Sequence, residues 1–222
     1  MKVVNTPESR EGNLIRYLVY FVSYLLAAGV VKLVTLKNPL RVWDIILFVL
    51  VAAMVLLFYI YRFNREQRFF ESRKWPWLGD LGLIIGLTLL VTGLRVLVMY
   101  LQTYKYVNLY GFQEMYLKQE NIHMFWFLIV AEGIVMPILQ EFLATGFVFN
   151  YAFRGNSKAT ALFGMLVSGL IFSVLNFQFS LPLFLIETCF GAFFAWSYLY
   201  TQSIWMPIYL AVVSGILRII MI

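Results

Sequence analysis

Few side chains in this sequence have the means to do chemistry, and they lie in apolar surroundings. The run MPILQEFLATGF, Met136 to Phe147, sets Gln140 beside Glu141 shortly after Pro137. A carboxylate there is a general base, a metal ligand or a hydrogen-bonding group. Glu132 is the next carboxylate upstream, yet the two cannot act as a pair. Nine residues on a continuous helix put them on opposite faces and about 13 Å apart along the axis. His123 is the one histidine. It shares a helical face with Glu141 but lies about 27 Å away, too far to co-ligate a metal. It reads as an interfacial histidine at a helix start. The sequence has no Gly-rich phosphate loop, metalloprotease histidine pair or nucleophile elbow. Cys189 is the single cysteine, so an intrachain disulfide is excluded.

The elements that carry these groups follow from composition. Of 222 residues, 62% are hydrophobic and only 13% charged, too little charge to cover a soluble domain. Seven apolar segments stand out: Leu14–Val31, Trp43–Tyr61, Leu81–Leu101, Ile122–Tyr151, Ala159–Asn176, Leu181–Tyr200 and Ile204–Ile222. Runs of roughly 17 to 25 such residues match a bilayer core, and the absence of strict alternation argues for helices over a barrel. The expected fold is all-α: a polytopic membrane bundle of about seven transmembrane helices in one domain spanning 1–222. The fourth segment, at 30 residues of helix or about 45 Å, must tilt, kink near Pro137 or project from the membrane. The first ends in small residues, Leu25 to Gly29, as a cleaved signal does, but its length and the six spans after it favour an anchor.

The net charge of +6 reads as topology, and nucleic acid is not an expected partner. With the N-terminus inside, the cytoplasmic face has Lys2, Arg10, Arg16, Arg62, Arg65, Arg68, Arg73, Lys74, Arg154 and Lys158. The outer face has Lys32, Lys37, Arg41, Lys105, Lys118 and Arg218. This balance favours N-in. The basic stretch from Arg62 to Lys74, beside Trp75 and Trp77, suits an ordinary inner loop or an anionic leaflet.

Arg95, Glu132, Glu141 and Glu187 fall inside the spans, where each costs a few kcal/mol unless paired or hydrated. Arg95, Glu132 and Glu187 come to similar depth, so a structural Arg95–Glu132 or Arg95–Glu187 pair is expected. A proton relay or substrate counter-ion is the alternative. The spacings Gly82-x-x-x-Gly86 and Gly164-x-x-x-Ser168 permit close helix contact.

From Ala131 onward the order of features resembles the CAAX-protease and bacteriocin-processing (abortive-infection) family of intramembrane proteins. That family carries Pro-x-x-Glu-Glu-x-x-x-Arg-Gly on one helix. Phe-x-x-x-His follows on the next, then a late Pro with a His four residues on and an Asn beyond. Here the three read PILQEFLATG (Pro137 to Gly146), FSVLN (Phe172 to Asn176) and WMPIYLAVVSG (Trp205 to Gly215), with similar scaffolding in Phe190 to Trp205. The resemblance implies a core over 122–222, preceded by a tail and three family-variable helices over 1–121.

The frame matches and the chemistry does not. In the family the paired Glu and the two His activate water, bind a metal or stabilise the oxyanion. Carried over by position, the first Glu is Gln140 and the second is kept as Glu141. The Arg is Thr145, the first His is Asn176, the second is Ala211, and the Asn is Gly215 or, one residue earlier, Ser214. A zinc site needs three or four N, S or carboxylate ligands, and a general base needs a partner for the developing oxyanion. Losing several members of a concerted unit removes nearly all of its power. Gln140, Glu141 and Asn176 are therefore expected to remain as interhelical hydrogen-bonding groups, with no cofactor.

The reading that follows is a pseudoprotease of a bacterial plasma membrane that works by binding. It would serve as an immunity or self-protection factor, or as a scaffold or regulator of a cell-envelope enzyme. Its partners would be the bilayer and a membrane or cell-envelope protein. The loop Gln102 to Glu120 offers Tyr104, Tyr106, Tyr110, Phe112 and Tyr116, aromatics that suit partner binding or an interfacial belt. The alternatives are an active metallopeptidase using Glu141 with zinc, and a small transporter or channel.

Overall fold

The computed structural model describes residues 10–36, 40–67, 78, 80–119, 121–155, 157–178 and 180–221. The described chain is helical throughout: α1 (Arg10–Thr35), α2 (Val42–Glu66), α3 (Leu81–Thr103), α4 (Gly111–Gln119), α5 (Ile122–Tyr151), α6 (Lys158–Leu175), α7 (Leu181–Thr201) and α8 (Trp205–Ile220). Six of these are long and apolar enough to cross a membrane; α8 is apolar but shorter. The polytopic bundle read from composition is thus the observed fold, with α8 as the short member. Helix α4 falls in the stretch expected to be a polar loop. Arg68, Arg73, Lys74, Trp75 and Trp77 of the basic stretch lie outside the described residues.

Local chemistry sets the helix ends. The Asn121 carboxamide oxygen accepts from the His123 N–H at the start of α5, and the Ser157 hydroxyl accepts from the Thr160 N–H at the start of α6. Pro182 occupies the first turn of α7, where its missing N–H has no helical partner to lose. Gln202 (φ 53°) ends α7 in the left-handed region, and Phe177 (φ 51°) turns the chain after α6.

Helix α5 runs unbroken past Pro137 by widening on either side. Residues Ile129–Val135 and Phe142–Phe147 are π-helical, with an α-helical stretch, Met136–Glu141, between them. Proline cannot donate to the carbonyl four residues back and crowds it, and wide turns relieve that crowding. The carbonyl in question belongs to Gly133, and α8 packs against it. A Cβ on Gly215 would stand 2.7 Å from the Gly133 oxygen and 2.8 Å from Pro137 Cγ.

Two other contacts hold the bundle. Between α6 and α7, Gly169 faces the Thr188 carbonyl and a Cβ on Gly191 would stand 2.6 Å from Phe172 Cβ, so neither position has room for a side chain. Of the two small-residue spacings noted in the sequence, Gly164 does pack closely, with Phe149 2.7 Å from an added Cβ. Gly82 and Gly86 do not, because an added Cβ at either meets nothing within 4 Å. Where α1, α2 and α5 meet, Tyr20, Tyr59, Phe63, Phe142 and Phe147 form a buried aromatic cluster, with Tyr20 and Phe147 stacked at 4.2 Å.

Candidate functional site

Alternating crossings bring the C-terminal ends of α1, α3, α6 and α8, the start of α7 and all of α4 to one end of the bundle. Arg95, Glu132 and Glu187 gather there, and Glu141 does not. Arg95 pairs with Glu187, Nη1 to Oε1 at 2.8 Å and Nη2 to Oε2 at 3.2 Å, and both side chains are buried. Arg95 Nε donates to Ser214 Oγ at 2.6 Å, and its guanidinium lies 3.8 Å over the Phe190 ring. Tyr110 Oη donates to Glu187 Oε1 at 2.5 Å and accepts from Arg95 Nη1 at 2.8 Å. Burial pushes the Tyr110 phenol well above its ordinary value, so it stays a neutral donor. Of the two pairings expected for Arg95, the bundle makes the one with Glu187.

Glu132 goes elsewhere. It lines a cavity of about 490 Å³ framed by α1, α4, α5, the end of α6 and α8, together with Tyr24, Lys32, Gln140, Asn176 and Arg218. A hydrogen-bonded chain crosses this cavity. Arg218 Nη1 donates to Asn176 Oδ1 at 2.9 Å, Gln140 Nε2 approaches the same oxygen at 3.4 Å and donates to Tyr24 Oη at 2.9 Å, and Tyr24 Oη donates to the Leu175 carbonyl at 2.7 Å. Arg218 Nη1 is also 3.9 Å from Glu187 Oε1, which joins the cavity to the Arg95 cluster. Gln113 on α4 fastens the lid side: its Nε2 donates to the Arg218 carbonyl at 3.0 Å, and its Oε1 accepts from the Tyr110 N–H at 2.9 Å.

The family-equivalent positions divide between this cavity and the packed interior. Gln140 and Asn176 meet in the cavity, Nε2 to Oδ1 at 3.4 Å. Glu141 does not join them. It is fully buried on the other side of α5, where Thr145 Oγ1 donates to its Oε2 at 2.8 Å and lies 3.1 Å from Ser168 Oγ on α6. Ala211 is buried in the core, Ser214 is taken by Arg95, and Gly215 is closed by Gly133 and Pro137.

A zinc ion does not fit this donor set. Two neutral amides, a guanidinium and a single carboxylate, Glu132, line the cavity, short of the three or four N, S or carboxylate ligands zinc needs, and the retained family carboxylate, Glu141, is engaged by Thr145 outside it. Among the described residues, no three His, Cys, Asp or Glu groups lie close enough to hold a metal.

The aromatic loop is less open than its sequence implies. Tyr104 and Tyr106 are exposed, at 60% and 73%. Tyr116 is half-buried with its ring 5.6 Å from Phe125, and Phe112 lines the cavity. Tyr110, at 1% exposure, is the correction: it is drawn inward by the buried Arg95–Glu187 pair and presents nothing to a partner.

Arg218 is the cavity residue that sequence reasoning missed, having counted it as an outer-face charge. The available signal was its place in the last turn of an apolar helix, four residues after Ser214 and so on the same face.

A family model described as Type II CAAX prenyl endopeptidase Rce1-like matches residues 122–214. The match takes in α5, α6, α7 and most of α8, the helices that carry Gln140, Glu141 and Asn176. Neither curated proteins nor solved structures gave a match.

Proposed function

We propose that this multi-pass membrane protein, Rce1-like over residues 122–214, works by binding and does not cut peptides. One observation carries the reading. The cavity at the family's catalytic position holds a guanidinium bonded to a carboxamide, Arg218 on Asn176, while Glu141 is turned away into a buried bond with Thr145. A carboxylate that activates water must face the substrate, and the electrophile's oxygen needs a preorganised donor beside it. Glu141 meets neither condition. The role that suits such a site is retention of a partner or ligand. In a bacterial plasma membrane that means an immunity or self-protection factor, or a scaffold or regulator of a cell-envelope enzyme. The exposed Tyr104 and Tyr106 beside α4 are the side chains offered to such a partner.

The test is hydrolysis of a prenylated CAAX peptide by the full chain in lipid nanodiscs. Wild type and Glu141→Gln are expected to give the same rate as empty discs. A wild-type rate that vanishes in Glu141→Gln would overturn the reading.

A second reading has its own observation. Glu132 lines the cavity with Arg218 and Asn176 and interacts electrostatically with Arg218. A peptidase could therefore use Glu132 as base and Arg218 as oxyanion donor. Glu132→Gln in the same assay separates the two, because only a peptidase of this kind would lose turnover.

A further inference from the structure

The cavity is built for an occupant of definite chemistry. Two of its buried residues end in atoms without a hydrogen-bond partner: Arg218 Nε, a donor, and Gln140 Oε1, an acceptor. Buried polar atoms in native proteins are almost always satisfied, so an unpaired donor and an unpaired acceptor on two residues of one cavity wall, each covered within that wall, mark bonding capacity left for a ligand that seats there. Lys32 adds a cation to the wall, and Glu132 a carboxylate within reach of the Arg218 charge. The ligand must therefore bring anionic acceptors for Arg218 and Lys32, together with donors for Gln140 and Glu132.

Shape narrows the class. The volume of about 490 Å³ falls within the range of roughly 300–1,000 Å³ typical of ligand sites and is far more than one water needs. Leu25, Leu36 and Phe177 form part of the wall and are exposed on the flank of the bundle, so the mouth opens sideways onto lipid. A second depression, about 380 Å³ and almost wholly apolar, is lined by Val174, Phe177, Gln178, Leu181 and Phe184. It shares Phe177 and Gln178 with the cavity, and the left-handed turn at Phe177 sets that ring between the two. A polar chamber at helix-end depth that runs into an apolar flank groove has the form of an amphiphile, and basic pockets between membrane helices hold lipid headgroups.

We propose that the cavity binds one bilayer phospholipid. Arg218 and Lys32 take the phosphate oxygens, Gln140 and Glu132 take the ammonium or hydroxyl donors of the headgroup, and an acyl tail leaves past Phe177. This rests on the non-catalytic reading of the same site, and it names the ligand.

Native mass spectrometry of the full chain tests it. Delipidated protein is exposed to vesicles of equal parts phosphatidylethanolamine and phosphatidylglycerol, and in parallel to inorganic phosphate and to glycerophosphoethanolamine. Wild type is expected to retain one phospholipid per chain, with the two tail-free compounds failing to displace it. Arg218→Gln should lower occupancy about tenfold, the loss of one charged contact. Gly29→Phe guards against misfolding as the cause. Gly29 lines the cavity and an added Cβ there meets nothing within 4 Å, so this variant should fill the mouth and lose lipid with an unchanged thermal midpoint. Occupancy equal to wild type in both variants would overturn the proposal. So would full displacement by glycerophosphoethanolamine, or retention of a peptide in place of lipid. Peptide hydrolysis by the same preparation would sink the non-catalytic reading alone, because lipid occupancy is read separately.

Discussion

At the scale of single residues, burial decides what each charge can do. Arg95 and Glu187 lie wholly inside the bundle, joined by two hydrogen bonds and backed by Tyr110 and Ser214. Such a pair adds little over a well-packed apolar one, yet removing one partner strands a buried charge at a cost of about 3–5 kcal/mol. Arg95→Met is therefore expected to lower the thermal midpoint of the detergent-solubilised protein sharply. Arg95→Met with Glu187→Leu should recover most of that loss, and equal losses in the single and double variants would contradict this account. Gln140 gives a second test. Gln140→Glu restores the family's carboxylate in a cavity that already holds the Arg218 guanidinium and has only Asn176 as a further family-position donor. The new carboxylate should pair with Arg218 and recruit no zinc. Elemental analysis of the purified variant after zinc exposure is expected to give no more metal than wild type.

At the scale of helices, close approach of backbones substitutes for hydrophobic selection, because lipid tails are as apolar as the core. Gly169 and Gly191 let α6 and α7 touch, and a side chain at either meets backbone or Cβ atoms that cannot swing aside. Gly169→Leu and Gly191→Leu should each cost about 1–3 kcal/mol or more by overpacking, read as a fall in thermal midpoint. Gly82→Ala and Gly86→Ala, in open surroundings on α3, should be neutral or stabilising by about 0.5–1 kcal/mol. The same physics explains what the sequence could and could not disclose. Span positions and the family resemblance, placed over 122–222 where the family model matches 122–214, were legible, since length, apolarity and motif offsets depend only on order along the chain. Helix rotation was not: when every face is apolar, periodicity does not separate lipid-facing residues from buried ones. That is why Gly82 resembled a contact, why Glu141 could not be seen to turn from Gln140, and why Arg218 read as an outer charge. The π-helical stretches on both sides of Pro137 alter which residues share a face, and no periodicity in the sequence announces them.

At the scale of the molecule, two polar clusters fasten opposite ends of the bundle. One joins α3, α7, α8, α4 and the end of α6 through Arg95, Glu187, Arg218, Gln113 and Asn176. The other joins the starting half of α1, the end of α2 and the end of α5 around Glu66. That carboxylate is fully buried, accepts from Tyr20 Oη at 2.9 Å and Arg16 Nη1 at 3.2 Å, and also takes Arg62 and Tyr151. Glu66→Gln keeps the shape and can leave an amide oxygen for the two guanidinium groups, but it removes the charge and turns an N–H₂ toward the Tyr20 and Tyr151 hydroxyls that the other oxygen now accepts from. Both arginines are about a quarter exposed, so water offsets part of the loss, and a cost of about 1–3 kcal/mol is expected, below that of a fully buried pair. The effect should also be local. Opening of one end need not loosen a bundle whose other end is separately tied, and local unfolding follows such cooperative units. Hydrogen exchange in Glu66→Gln should quicken in the first half of α1 and at the end of α5, with α7 and the Arg218 cavity unchanged and lipid occupancy at the wild-type level. Uniform quickening through α6, α7 and α8 would mean instead that the bundle opens as one unit and that the two clusters are not independent.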